Sequence, residues 1–293
     1  MKLSVIIVSY NAKKVLVKCL SLLGKRLSEN FFDSESEIIV VDNNSKDGAK
    51  EWLGKHTDRY KTAFLKENIG FGRANNVGLQ LAAGDYILYL NSDVCLEESI
   101  DFEELFEFLE QNKTRAGLTI KLVLPGGQID PASHRGFPTP WNALTYFSQL
   151  ETLTKNTPLA KPFGGYHLAH LDLTTIHRID SPTAAFFLLK KKVVNHLGGF
   201  DPDYFFYGED LDLSYRIKQL GYSIWYYPKY TARHLKYQSG KQAQSQTDQK
   251  KAKQMFYETM LTFYQKHYQK KYPKPVSWLV KKGVSGLKLL NQG

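Results

Sequence analysis

The chain has 293 residues, 42% hydrophobic and 23% charged, a balance that fits one large globular domain or a domain with an extension. Its two cysteines, Cys19 and Cys95, exclude a disulfide framework, and a core of this size needs none, since it buries roughly 75% of the unfolded surface. The net charge of +10 is concentrated at one end: Lys229 to Gly293 hold 14 Lys and Arg against Asp248 and Glu258, leaving residues 1–228 at −2. No apolar run approaches the roughly 20 residues of a membrane span. The N-terminus enters a strand pattern with no signal-peptide cleavage site, so the expected compartment is the cytoplasm.

Leu3 to Val8 is an apolar, β-branched run of the kind found in buried parallel strands. Asn11 follows as an expected helix N-cap, and Val15, Cys19, Leu22 and Leu23 recur at helical spacing. Glu37 to Val41 reads as a second strand and Thr62 to Leu65 as a third. Arg73 to Ala83 reads as a helix, Tyr86 to Leu90 as a fourth strand, and Phe102, Leu105, Phe106 and Leu109 as the stripe of another helix. This alternation predicts an α/β fold with a mostly parallel sheet covered on both faces. The stretch from Leu124 to Ile179 is loop-like, and a loop that long is often functional. Ala184 to Leu189 reads as a central strand. Leu213, Ile217 and Leu220 mark a helix ending at Gly221, and Tyr222 to Tyr227 a strand stopped by Pro228. Gly240 to Lys251 reads as a polar linker. Beyond it, Phe256, Met260, Phe263 and His267 share one helical face.

Ligands of open parallel sheets bind beyond the carboxyl ends of the strands. Three polar clusters fall there: Ser9-Tyr10-Asn11, Asp42-Asn43-Asn44-Ser45 and Asn91-Ser92-Asp93. Each alone is equally well a turn or a cap; all three at one sheet edge is the informative pattern. The first strand is followed by neither a phosphate-cradling Gly-x-x-x-x-Gly-Lys nor a Gly-x-Gly-x-x-Gly, which disfavours P-loop and dinucleotide sites. Asn68-Ile-Gly-Phe-Gly-Arg-Ala-Asn-Asn lies between a strand and a helix, where backbone amides can face an anion. An acid at a strand end beside a diphosphate points to a hard divalent cation, and Asp93 is the candidate. Glu209, Asp210 and Asp212 open a helix after Phe205-Phe206-Tyr207-Gly208. Acids there either favour the helix dipole or supply a general base beside an aromatic wall.

Together these residues resemble the inverting family 2 glycosyltransferases of GT-A fold, in particular their rhamnosyltransferase-like bacterial branch. The motifs occur in the family's order: Val8-Ser-Tyr-Asn11, Val41-Asp-Asn-Asn-Ser-Lys-Asp-Gly48, Asn68 to Gly78, Asn91-Ser-Asp93, Gly198-Gly-Phe-Asp201, Tyr207 to Arg216, and His234. The resemblance covers residues 1–236 with a gap at 125–180. It implies a Rossmann-like GT-A domain over 1–236, a polar linker over 237–252 and a basic, amphipathic helical extension over 253–293. It implies transfer of a sugar such as rhamnose from a nucleoside diphosphate sugar to a glycan or lipid-linked acceptor in cell-envelope synthesis. Asp42 would bind the nucleobase or ribose, with Ser9, Tyr10, Asn11 and Asn44 in the same pocket. Asn68, Gly70 and Asn76 would shape the donor site beside Asn91 and Ser92. Asp93 and His234 would hold Mn2+ or Mg2+. Asp210 would be the general base and Glu209 its neighbour. Asn91 departs from the family's frequent two-acid metal motif and removes one negative charge.

A sugar-nucleotide nucleotidyltransferase is the competing enzyme class, but Ser9 to Lys14 lacks the expected glycines. A nucleic-acid module fits the basic tail but no recognised motif, so no nucleic-acid partner is expected. A catalytically dead homologue is opposed by the presence of Glu209 and Asp210. His134, Arg135, Trp141 and His167 lie in the unread middle and are acceptor candidates or packing residues. The tail interleaves Trp278, Leu279, Val280, Leu287, Leu289 and Leu290 with Lys281, Lys282 and Lys288. That composition suits an interfacial helix on an anionic inner leaflet.

Overall fold

The structure is a computed structural model and describes residues 1–31, 35–236 and 246–290. Its strands are β1 (Leu3–Ser9), β2 (Ser36–Asp42), β3 (Lys61–Phe64), β4 (Tyr86–Leu90), β5 (Val94–Cys95), β6 (Arg115–Val123), β7 (His177–Ile179), β8 (Phe186–Lys190) and β9 (Ser223–His234). Its helices are α1 (Lys13–Asn30), α2 (Ala49–Gly54), α3 (Phe71–Leu81), α4 (Phe102–Glu110), α5 (Pro140–Phe147), α6 (Leu150–Thr154), α7 (Ala160–Phe163), α8 (Lys191–Leu197), α9 (Glu209–Gln219), α10 (Gln246–His267) and α11 (Lys274–Leu290).

The strands form one sheet of order β3-β2-β1-β4-β8-β6-β9-β5, with β7 pairing β9. The β3-β2-β1-β4 half is parallel, as its βα alternation requires. β8 inserts antiparallel between β4 and β6, while β6 and β9 run parallel. Every residue of β1 is buried, because helices cover both faces. Leu3, Val5 and Ile7 meet Leu16, Leu20 and Leu23 of α1 and Phe102, Leu105 and Leu109 of α4. Ile6 and Val8 face the opposite layer, with Ala74 of α3, Val193 and Val194 of α8, and Leu213 and Ile217 of α9. Burying each such Leu, Ile or Val contributes about 1.5–3 kcal/mol before conformational entropy is charged. A third cluster joins Leu211 and Tyr215 of α9 to Phe263 and Tyr264 of α10, and Tyr268 just past it, through Phe137 and Tyr204.

Four expectations need correction. Asn11 is not the N-cap of α1: Ala12 holds that position. Asn11 sits at φ +50 and its Oδ1 accepts from the Lys46 amide at 2.7 Å. The first turn is closed from a neighbouring loop instead, the Lys13 amide donating to Asp47 Oδ2 at 2.6 Å. Pro228 does not stop its strand. β9 runs through it, and the register against β6 slips between Tyr227 and Thr231, a bulge that absorbs the residue lacking an amide hydrogen. The 124–179 stretch carries α5, α6, α7 and β7 rather than pure loop. The polar stretch 237–252 is not all linker, since α10 begins at Gln246; residues 237–245 lie outside the described residues.

Candidate active site

The parallel half of the sheet delivers its strand ends to one edge. Ser9 stands opposite Asp42 in the β1–β2 register, and Asn43 continues the ladder by donating its amide to Ser9 O at 2.8 Å. The loops after β1 and β2 are laced together. Asp42 Oδ1 accepts from the Ser45 amide at 2.9 Å, and Ser45 Oγ accepts from the Asn11 amide at 3.0 Å. This leaves Asp42 Oδ2 and Ser9 Oγ buried with no hydrogen-bond partner among the described residues. Asn91, one residue past β4, presents a third such atom, its Oδ1. A buried acceptor left unpaired costs about 1–3 kcal/mol, which marks three such atoms at one edge as a recognition surface.

The remaining donor candidates divide into groups. Asn68 Oδ1 accepts from Asn43 Nδ2 at 2.8 Å and from the Gly70 amide at 3.0 Å, so it builds the loop before α3. Asn43, given no role of its own within the cluster after β2, is the buried hub: its Oδ1 also accepts from the Ile69 amide at 3.0 Å. Asn44 instead turns to Lys46 Nζ at 2.9 Å. Asn76 is committed at both ends of its amide, to Phe200 O at 2.7 Å and the Phe200 amide at 2.8 Å. It therefore clamps the Gly198–Asp201 turn. Tyr10 is exposed at the mouth and Ser92 is buried.

Gly70 is at φ +90, and a Cβ there would lie 2.5 Å from Phe205 O. This close approach seats the Phe205–Phe206 wall on the donor loop, with the Phe71 amide donating to Phe205 O at 3.0 Å. Gly70→Ala is expected to destabilise the protein by about 2 kcal/mol, which lowers Tm by roughly 4–8 °C in a chain of this size. A thermal melt within 1 °C of wild type would show that the loop yields freely.

Asp93 and His234 are brought together by the β5–β9 pairing, in which Val94 faces His234. His234 Nε2 lies 3.4 Å from Asp93 Oδ1, and its Nδ1 lies 2.8 Å from Asp130 Oδ2. Burial opposes charging the ring, but the bonds and charges of Asp130 and Asp93 outweigh it and push His234 up to about 9. A divalent cation would have to displace the His234 proton, and the donor set left facing it fits such an ion. That set comprises a carboxylate and an imidazole oriented by a second carboxylate, with the orphaned Asn91 amide oxygen on the same loop. No group of three or more His, Cys, Asp or Glu among the described residues is arranged to hold a metal alone.

Glu209 and Asp210 open α9 and are both buried. Tyr207 at φ +71 and Gly208 at φ +78 make the tight turn that places them. Asp210 Oδ2 accepts from Arg135 Nη2 at 2.6 Å, and its Oδ1 from the Leu211 amide at 2.7 Å. Burial, then the neighbouring Asp210, push the Glu209 carboxyl well above the usual carboxylate range. Of the four acceptor candidates, Arg135 reaches the site. Trp141 is exposed with Nε1 on Pro162 O at 2.7 Å, and His167 Nδ1 lies 3.2 Å from Glu151 Oε2. His134 is buried against Ser133 Oγ at 2.9 Å and pushed down to about 4 by burial.

The C-terminal helices press on this turn. A Cβ on Gly208 would lie 2.3 Å from Thr259 Cγ2 of α10, and His267 Nε2 lies 2.7 Å from Asp212 Oδ1 on α9.

Comparison with known proteins agrees with this geometry. The chain is 34% identical over 136 residues to the Staphylococcus aureus poly(ribitol-phosphate) β-N-acetylglucosaminyltransferase TarS, 45% of this chain and 23% of TarS. It is 25% identical over 228 residues to the Pasteurella multocida chondroitin synthase, 73% of this chain and 23% of that one. The chain thus spans about a quarter of the length of these relatives. Among solved structures, a mannosyltransferase from Pyrobaculum calidifontis superposes with a TM-score of 0.57 at 14% identity, covering 99% of this chain and 69% of that one. S. aureus TarS superposes with 0.56 at 18% identity, covering 94% of this chain and 41% of TarS. Both share the α/β GT-A fold. The family described as Glycosyl transferase family 2 matches residues 4–164, more than half of the chain, and with the strand-edge site and acid pair in place the protein belongs to that glycosyltransferase family.

Proposed function

We propose that this glycosyltransferase moves a sugar from a uridine diphosphate donor to a hydroxyl of a bacterial cell-envelope glycan or lipid-linked acceptor, with inversion at the anomeric carbon. The observation that carries the reading is the row of buried, unpartnered acceptors Ser9 Oγ, Asp42 Oδ2 and Asn91 Oδ1 at one sheet edge. Hydroxyl and imide donors of a nucleoside satisfy such atoms. Support for uridine comes from TarS, which has been solved with UDP. The names of the related poly(ribitol-phosphate) enzymes carry N-acetylglucosamine and glucose rather than rhamnose.

Asp42 and Ser9 hold the nucleoside, and the Asn43–Asn68–Gly70 loop fixes the donor's position. Asp93 and His234 would hold a divalent cation, Mn2+ or Mg2+, which supplies positive charge beside the departing diphosphate. Asp210 accepts the proton of the acceptor hydroxyl while that oxygen bonds to the anomeric carbon and the nucleoside diphosphate leaves with the bonding electrons. A positioned base of this kind contributes about 10²–10⁴-fold. A thermal-shift panel of UDP-, dTDP- and GDP-sugars, with and without manganese, tests the assignment, with UDP-N-acetylglucosamine as its first member. A donor at 100 times its dissociation constant stabilises by about 2.7 kcal/mol. Asp93→Ala is expected to remove the manganese-dependent part alone. No shift with any member would sink the reading.

The same proposal extends to a membrane surface. Trp278, Leu279 and Leu289 of α11 are 60%, 61% and 71% exposed. Lys281 and Lys282 lie on the same helix, and each Lys contributes about 1 kcal/mol near an anionic leaflet. No helix among the described residues is long and apolar enough to cross a membrane, so the contact proposed is peripheral. Vesicle flotation is expected to recover the wild type with anionic but not neutral vesicles, and to lose a Trp278→Ser, Leu279→Ser, Leu289→Ser variant. Equal recovery of both proteins would reduce α11 to a brace for α10.

A further inference from the structure

Two adjacent carboxyls at one buried site do not ionise independently; they titrate as a pair. Which member carries the charge is decided by the groups facing them. Arg135 Nη2 lies 2.6 Å from Asp210 Oδ2, and both side chains are 11% exposed. Among the described residues Asp210 is the one carboxylate within ion-pair reach of Arg135, whereas Glu209 Oε2 is buried with no hydrogen-bond partner. A charge-assisted contact that short and that buried is strong and costly to break.

The guanidinium is held in place from several sides. Nη2 also donates to Pro182 O at 3.0 Å, and Tyr166 lies close enough to couple electrostatically to the same guanidinium. The Arg135 backbone bridges Ser181, its amide donating to Ser181 O at 3.0 Å. Next to it, a Cβ on Gly136 would lie 2.0 Å from Gly165 O, so this segment and the one carrying Tyr166 are locked together. The charged and titratable groups facing Asp210 are therefore Arg135, Tyr166 and Glu209. Asp212 is engaged elsewhere, with Arg216 at 2.7 Å and His267 at 2.7 Å.

We propose that Arg135 is a positioning residue for the transfer reaction: it fixes Asp210 in one orientation as the ionised member of the Glu209–Asp210 pair and leaves the proton on Glu209. This rests on the reading of Asp210 as the base. It gives the 124–179 segment a role in the chemistry, because that segment delivers both Arg135 and Tyr166 to the acid pair.

The test is the pH dependence of kcat for UDP release from UDP-N-acetylglucosamine, between pH 5 and 9, with donor affinity measured by calorimetry. In Arg135→Ala the acid limb is expected to rise by about one to three pH units, the range by which an adjacent Arg lowers a carboxyl. Turnover relative to wild type is then lowest at the acid end of the range and recovers toward pH 9, while donor affinity stays within about twofold of wild type. Arg135→Lys restores most of the limb, and Tyr166→Phe moves it by a fraction of a unit. A uniform loss of kcat at every pH, with the limb unmoved, would overturn the proposal and leave Arg135 as a structural brace. Should Arg135→Ala fail to fold, Arg135→Gln carries the test, and a wild-type acid limb in it overturns the proposal. Asp210→Asn separates the two readings. If it is inactive while the Arg135 limbs stay put, this inference alone fails; if it is active, the base assignment fails and takes the inference with it.

Discussion

Asp210→Asn is expected to lower kcat by about 10²–10⁴-fold while leaving donor affinity and the melting temperature close to wild type. The substitution keeps the shape of the side chain and removes the capacity to accept a proton. Its amide oxygen still receives the Leu211 amide, which wild-type Oδ1 accepts at 2.7 Å, so the start of α9 holds. The loss of charge opposite Arg135 is the structural cost, and the contact of Nη2 with Pro182 O at 3.0 Å remains to hold the guanidinium. Turnover within threefold of wild type would remove Asp210 from the base role, and Glu209→Gln would then be the variant to examine. Glu209 is the weaker candidate because burial and the Asp210 charge push its carboxyl upward and favour the protonated form, which cannot accept a proton.

The second large effect is on binding. Asp42→Ala removes the charged acceptor Oδ2 that is buried and unpartnered at the strand edge. A hydrogen bond to a charged group contributes about 1.5–3 kcal/mol, so donor affinity is expected to fall by roughly 10- to 150-fold, with kcat at saturation less affected. The Ser45 amide also loses its acceptor, Oδ1 at 2.9 Å, so Asp42→Asn is the companion variant that retains an oxygen there. Titration calorimetry with UDP reads both. Unchanged affinity in each would place the nucleoside elsewhere.

The residues that sequence revealed and those it concealed differ for physical reasons. β1, β2 and β4 were legible because burial on both faces writes an uninterrupted apolar run. The polar clusters after them were legible because a parallel sheet puts all its strand ends on one side. β6 went unread although Leu118, Ile120 and Leu122 alternate, since Gly117 and Lys121 break the run. Gly117 is there because a Cβ would lie 2.4 Å from Leu188 O. Pro228 reads as a stop, yet a bulge admits it. Asn43 and Asn44 are indistinguishable in sequence; only the fold shows that Asn43 bonds the 68–70 loop and Asn44 faces Lys46. The Arg135–Asp210 pair spans 75 residues and carries no local pattern at all. The same holds for Asp130, which orients His234 across 104 residues. The Asn11 cap failed because the Asp47 loop, brought in by the β1–β2 pairing, supplied a competing acceptor.

The measurement that bears most directly on the central claim is nuclear magnetic resonance of the wild-type protein turning over UDP-N-acetylglucosamine with manganese. Both the phosphorus species and the anomeric configuration of the first sugar released to water or acceptor are observed. Cleavage between the anomeric carbon and the diphosphate, producing UDP and a sugar of inverted configuration, is the predicted result. Appearance of UMP with a sugar phosphate, or of a sugar with retained configuration, would contradict it.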